Sequence, residues 1–422
     1  MTPTLGDLAR VFLRVGLLSF GGPAAQIALM HRELVEERPW LSESEFLRAL
    51  SFCMLLPGPE AMQLVTFAGW RLHGVRGGLV AGGLFVAPGA LVIFALAFGY
   101  GAVADLPLVG WLLLGVKATV VVIVVEAIVR VARRALRAPS HWALAGLAFV
   151  ALFAFEVPFP LVVLAAGLWG AATARVVAEA RRPALALAPF AATLATGLAL
   201  WWAPVAAVAL MGQGFLTDLA LFYSRLAVVT FGGAYAVLSY MAQEVVTGYG
   251  WVTTGQLMDA LGLAEATPGP LILVTAFVAI LAGQAQGGAA LGLAAGLLAL
   301  WVTFVPAFLW ILAGAPLVGW LEGQPRLRAA LAAITAAVVG VILNLSVWFS
   351  LHVVFAEVGR IEAGPLRMAW PDWSSLQPLP LALTLVAGWL LLGRHWSMAW
   401  TLGAMAILAA VLGVAAGAVP PA

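Results

Sequence analysis

A small set of residues occurs twice in this chain at one fixed spacing. Arg14, Phe20-Gly21-Gly22, Glu33, Trp40 and Pro57-Gly58-Pro59 return 211 positions later as Arg225, Phe231-Gly232-Gly233, Glu244, Trp251 and Pro268-Gly269-Pro270. No gap is needed to align them. In so apolar a chain, matched Ala or Leu would mean little, whereas a shared Arg, Trp and double Pro are hard to reach by chance. The chain is therefore a duplication, and each copy carries helix-breaking residues inside apolar segments, a pattern typical of secondary transporters.

The apolar segments can only belong in a membrane. Of 422 residues 64% are hydrophobic and 9% charged, with a mean hydropathy of +1.05, against roughly 25% charged in a soluble domain. The expected fold is an all-α polytopic membrane protein of about 13 apolar spans, beginning 8–30, 46–70 and 77–101. The stretches 141–156 and 377–393 are short for a crossing. Arg14 interrupts the first apolar run, so no cleavable secretory signal is evident. The expected division is 1–182 for the first repeat, 183–213 for a linking transmembrane segment and 214–422 for the second repeat.

Twenty of the 21 basic residues are Arg; the other is Lys117. They gather at segment ends, at Arg71 and Arg76, at Arg130, Arg133, Arg134 and Arg137, and at Arg175, Arg181 and Arg182. That placement is a topology signal and not a nucleic-acid surface. It puts the N-terminus and these clusters in the cytoplasm and the C-terminus outside. Seven spans separate the starts of the copies, so the second is expected to be inverted. If 46–70 turns back at Pro57 without crossing, the count changes and the copies become parallel. The single cysteine, Cys53, excludes internal disulfides and Cys-rich metal sites.

Each Pro-Gly-Pro must break its helix, since proline has no amide hydrogen and clashes with the preceding turn. The freed backbone groups need protein partners or a wet cavity. A helix restarting at Pro59 would aim its positive end and free amides at the break, which suits an anion. The competing reading is a kink packed against neighbours. Phe20-Gly21-Gly22 and Phe231-Gly232-Gly233 permit left-handed backbone or close helix approach. Ser19 and Thr230 would donate either to an anion or to their own helix. Arg14 and Arg225 lie about 9 Å of helical rise before each glycine pair; they would bind an oxyanion or reach toward lipid headgroups. Lys117, aligned with Arg328, is a further anion-binding candidate, and Glu126 is a second ionisable residue in the same span. Glu60 and Glu265, one beside each Pro-Gly-Pro, are candidates for proton coupling, Glu60 alternatively compensating a helix dipole. Glu33 and Glu244 tether the connector after the first span of each copy, and Ser42 with Glu45 forms a capping box.

The phrases SFGGPAAQIALM, RPWLSESEF and LPGPEAMQLVTFAGWRLHGVRGGLVAG, with FGGAYAVLSYM and GWVTTGQLMDALGLAEATPGPLI in the second half, closely resemble the chromate transporter family. The resemblance covers both halves. It implies a two-repeat inner-membrane protein, an antiparallel duplication, that exports chromate, with the family's Phe-Gly-Gly and Pro-Gly-Pro elements at the positions named above. Ala234 stands where the first copy has Pro23, so the copies differ. The expected partners are a small oxyanion, chromate or sulfate, and the lipid bilayer; a homodimer is compatible, a nucleic acid is not, and no cofactor is expected. An intramembrane enzyme would need a constellation that is missing: His31-Arg32-Glu33 lacks the second His of HExxH, the five Asp form no membrane-embedded pair, and there is no GxSxG.

Overall fold

A computed structural model describes residues 3–174, 187–231, 233–318 and 324–416. Arg175, Arg181, Arg182 and Gly232 lie outside the described residues.

Each copy opens with two broken hairpins. In the first, α1 (Leu5–Leu18) ends at the glycine pair and α2 (Gly22–His31) leads back into a π-helical turn at Arg32–Glu37. Then α3 (Glu43–Cys53) runs to Pro-Gly-Pro. The helical stretch Glu60–Val103 is not one rod. His73 and Gly74, with φ of −137° and +60°, fold it into α4 (60–72) and α5 (75–103). The two legs touch where side chains are absent, since a Cβ on Gly69 would strike the Gly77 backbone. The second copy repeats the order: α10 (Gly214–Val229), α11 (Ala234–Ala242), a π-helical turn at Gln243–Gly248, α12 (Thr254–Glu265), and the stretch Val274–Gly314, folded at Gly287 and Gly288 into α13 (274–286) and α14 (289–314). Between the copies' hairpins lie α6 (Pro107–Ala135), α7 (Pro139–Phe155), α8 (Phe159–Thr173) and α9 (Leu187–Leu210). After α14 come α15 (Pro325–Val354), a two-stranded hairpin of β1 (Val358–Ala363) and β2 (Leu366–Pro371), α16 (Pro378–Gly388) and α17 (Met398–Ala416).

The first four half-length helices begin and end at one face. His73 Nε2 lies 2.6 Å from the Pro3 carbonyl, Arg71 pairs with Glu45 at 3.1 Å, and His31 lies 2.6 Å from Glu43. Residues 8–30 and 46–70 therefore do not cross one by one, as the count of 13 had them; each descends to its break and returns. The Pro and Gly that interrupt these runs cost the helix its continuity, and length alone could not reveal the reversal. Among the described residues six stretches are long and apolar enough to cross a membrane, with three shorter apolar helices at Pro139–Phe155, Phe159–Thr173 and Pro378–Gly393.

Folding back twice leaves the parity intact. Five helices, α5 to α9, separate the broken hairpins of the two copies, again an odd number, and α5 packs on its counterpart α14 in antiparallel sense: Gly78 meets Leu312, Gly82 meets Phe308, and Phe94 meets Gly296. Two copies whose equivalent helices run in opposite directions are inverted with respect to one another.

The helices form two compact units, neither of which is one repeat. The first comprises Met1–Ala97, Ala171–Val237 and Thr267–Leu331; the second comprises Phe98–Gly170, Leu238–Ala266 and Ala332–Ala422. All the described residues of the four breaks belong to the first unit. In the second, α6 is packed along α12, α16 and α17, with Gly115 set against the Met405 backbone and Gly413 against Trp111.

Candidate functional site

The breaks of the two copies are hydrogen-bonded to each other. The Gly58 amide donates to the Thr230 carbonyl at 2.8 Å, and the Gly269 amide donates to the Ser19 carbonyl at 3.0 Å. Replacing each partner by its equivalent in the other copy, 211 residues away, turns one bond into the other. Each bond supplies a donor to a carbonyl that helix termination leaves without an intrahelical partner, as a nonpolar environment requires. Gly58 and Gly269 hold φ of +133° and +94°, and Gly21, Gly22 and Gly233 hold +91°, +75° and +99°, conformations that side-chain-bearing residues rarely adopt. A Cβ on Gly89, halfway along α5, would run into the Pro268 carbonyl.

Four helices restart at this crossing: α2, α4, α11 and, through a 3-10 turn at Leu271–Leu273, α13. Their N-terminal ends present free amides and the positive ends of their dipoles. Ser19 and Thr230, 1% and 0% exposed, each donate at 2.5 Å to the carbonyl four residues back, Val15 and Leu226. Of the two fates open to them, the structure takes the backbone one.

Polar side chains enter mostly from the first copy's helices, with Tyr235 from the second. Gln26 Nε2 bridges the Ser19 carbonyl at 3.2 Å and the Gly269 carbonyl at 2.7 Å. Gln63 Nε2 donates to the Pro57 carbonyl at 2.8 Å. Glu60, in the first turn of α4, has its Oε1 4.0 Å from where a Cβ on Gly233 would stand, and the Tyr235 hydroxyl lies beside Gly22. The positions 211 residues beyond Gln26, Glu60, Gln63 and Thr66 are Val237, Leu271, Val274 and Phe277, all buried and apolar. The crossing is symmetric in backbone but not in side chains: Gln26, Glu60 and Gln63 have apolar counterparts, and Tyr235 has Ala24 as its counterpart. Gln26, Gln63 and Tyr235 escaped the sequence reading because it weighted residues present in both copies. Their only signal was a polar group close to a break within an apolar run.

Other predicted residues lie elsewhere. Arg14 is half exposed, its guanidinium 3.7 Å from the buried Glu33. Glu33 also binds Arg38, so it tethers the connector to α1 as its position suggested. Arg225 is exposed and donates from Nε to the Leu221 carbonyl at 3.3 Å. Phe20 is exposed and Phe231 partly so, while Pro59, Pro268 and Pro270 are buried and Pro57 is half-buried. Lys117 and Glu265 belong to the second unit; Lys117 pairs with Asp259 at 3.1 Å, and Glu126 pairs with Arg130 on its own helix. The Ser42–Glu45 capping box is formed, and Thr253 with Gln256 forms its counterpart. Among the described residues no cluster of His, Cys, Asp and Glu could hold a metal ion.

Two inverted copies, each with a pair of broken hairpins whose tips bond across the pseudo-twofold, define a multi-pass membrane protein of the transporter class and not an enzyme. The chain belongs to the chromate transporter family, whose model matches residues 6–171 and 217–416. It is 35% identical over 390 residues to the chromate transport protein of Pseudomonas aeruginosa, covering 90% of each chain. It is 28% identical to a probable chromate transport protein of Synechococcus elongatus, over 91% of this chain and 95% of the relative. An uncharacterized transporter of Bacillus subtilis, 27% identical, is matched over 93% of its own length by 39% of this chain. No solved structure matches the chain.

Proposed function

We propose that this protein exports chromate across the bacterial cytoplasmic membrane by alternating access, with the anion held at mid-membrane where the four breaks cross. The observation that carries this reading is the reciprocal pair of bonds, Gly58 to Thr230 and Gly269 to Ser19. These bonds occupy the carbonyls at the ends of α1 and α10 and leave the N-terminal ends of the restarting helices to face an anion. Chromate is a compact tetrahedral dianion, and converging backbone amides replace its water shell without requiring a buried cation. The backbone of Phe20 to Gly22, Pro57 to Pro59, Phe231, Gly233 and Pro268 to Pro270 forms this cradle. Gln26 and Gln63 hold its geometry. Arg14 and Arg225 draw the anion toward the breaks from their own helices.

Export needs no second ion. An inside-negative potential supplies about 2.3 kcal/mol per charge per 100 mV for an anion leaving the cell. Glu60, beside Gly233, and Glu265, just before the second break, are the carboxylates that would carry a counter-moving proton.

Sulfate has the same shape and charge and is the second reading of the substrate. Purified protein in liposomes with an imposed potential separates the two. Chromate efflux that rises with the potential and is weakly inhibited by sulfate supports chromate export; sulfate flux that exceeds chromate flux reassigns the substrate. A pairing of two copies is left to the protein's mass in detergent.

A further inference from the structure

In the second unit three polar groups meet among apolar helices. The Lys117 ammonium on α6 lies 3.1 Å from Oδ1 of Asp259 on α12, the two side chains being 13% and 8% exposed. The Tyr100 hydroxyl, near the end of α5, donates to Oδ2 of the same carboxylate at 2.7 Å. Two residues of the first copy thus grip one residue of the second. On the facing elements, α12 adds Glu265 as a further titratable group, α6 adds the Glu126–Arg130 pair with Arg133 and Arg134 at its far end, the turn after α5 adds Asp105, and α16 and α17 add none. A buried ion pair in a membrane is costly to make, and removing one partner is strongly destabilising. The position of the trio therefore calls for a role.

That position is near the outer face. Lys117 lies 13 residues before Arg130, about 20 Å along α6 from the cytoplasmic arginine cluster. From Asp259 the chain runs on through the rest of α12 directly into Pro268-Gly269-Pro270. The second unit ends at Ala266 and the first resumes at Thr267, so α12 is the arm that carries the second break.

The trio has no inverted counterpart. A shift of 211 residues turns Lys117 into Arg328, Asp259 into Arg48 and Tyr100 into Ile311. The equivalent positions at the cytoplasmic side are two exposed arginines, like charges that cannot form the salt bridge that Lys117 and Asp259 make. Inverted repeats reach the opposite-facing state by exchanging their conformations, and only one of the two states has a salt bridge to hold it.

We propose that Lys117, Asp259 and Tyr100 are positioning residues that form a latch on the outer side: they fix α12 to α6 and α5 and hold the second break closed to the outside. The latch biases the empty transporter toward the cytoplasm-facing state, from which an exporter loads. This inference rests on the alternating-access reading given above.

The test uses the full-length protein with its only cysteine removed by Cys53→Ser and a reporter placed at the crossing of the breaks by Ala234→Cys, at the start of α11. A membrane-impermeant maleimide is applied to right-side-out and to inside-out vesicles. Lys117→Gln and Asp259→Asn are expected to raise labelling from outside about tenfold and to lower labelling from inside, a shift of population that a merely loosened fold does not produce. The charge exchange Lys117→Asp with Asp259→Lys is expected to move both rates back toward the parent. Should the single variants fail to accumulate, the double variant Lys117→Gln with Asp259→Asn, which buries no unpaired charge, takes their place. Unchanged labelling from both sides in the double variant, or an equal rise on both sides, overturns the latch. The labelling requires no substrate, so a failure of chromate flux in the parent is read separately.

Discussion

The amide of Gly58 donates to the carbonyl of Thr230 across 2.8 Å, tying a proline break in the first repeat to a glycine break in the second, and the bond from Gly269 to Ser19 is its image. Two donors and two acceptors in low-dielectric surroundings thereby satisfy each other. The breaks form one shared structure, and each repeat lends the other half of it.

Glycine is required at both ends of that exchange. Gly58 and Gly269 sit at positive φ, and a Cβ on Gly58 would stand 2.6 Å from the Gln63 amide nitrogen. Gly58→Ala and Gly269→Ala are each expected to cost about 1–3 kcal/mol in backbone strain and to lower chromate flux at least tenfold in liposomes. Ala substituted at Gly83, where nothing lies within 4 Å, serves as the control and should leave flux unchanged.

Arg14 and Arg225 test how far long-range charge assists the breaks. Arg14 lies 3.7 Å from Glu33, and Arg14→Ala and Arg225→Ala are each expected to weaken apparent chromate affinity. The double variant should be weaker than either, with the maximal rate little altered. Normal flux and unchanged affinity in all three would remove both arginines from the transport path.

Glu60 stands at the start of α4 with its carboxylate toward Gly233. If it carries a proton against the anion, Glu60→Gln should abolish the dependence of efflux on an imposed pH gradient while leaving efflux driven by the electrical potential. Glu265→Gln provides the parallel test. A wild-type protein whose efflux ignores the pH gradient altogether is a uniporter, and both carboxylates then lose this role.

His31 reports on the open end of the first copy's hairpins. Its side chain sits between Glu43 and Glu36, and the hydrogen bond to Glu43 is the main cause of a pKa raised above 6.5. A raised folded-state pKa means that the protonated ring stabilises the fold below about pH 6.5 and that this contribution is lost as pH climbs through the raised value. Thermal stability in detergent should therefore fall on going from about pH 6 to pH 8, and His31→Gln should flatten that part of the profile.

The sequence by itself determined the duplication, the membrane setting, the four places where helices must break, and the capping of α3, because each follows from local chemistry: proline's missing amide, glycine's free φ, a hydroxyl three residues before a carboxylate. Only the tertiary structure decided that residues 8–30 and 46–70 fold back. A break in a helix fixes no exit angle, and the pairing of Arg71 with Glu45 or of His73 with Pro3 joins residues 26 and 70 positions apart. Nor could any local pattern place Gln26 on Gly269 or Asp259 against Lys117. Those partners come from opposite repeats, and burial in a nonpolar fold, where every polar group must find another, is what brings them together.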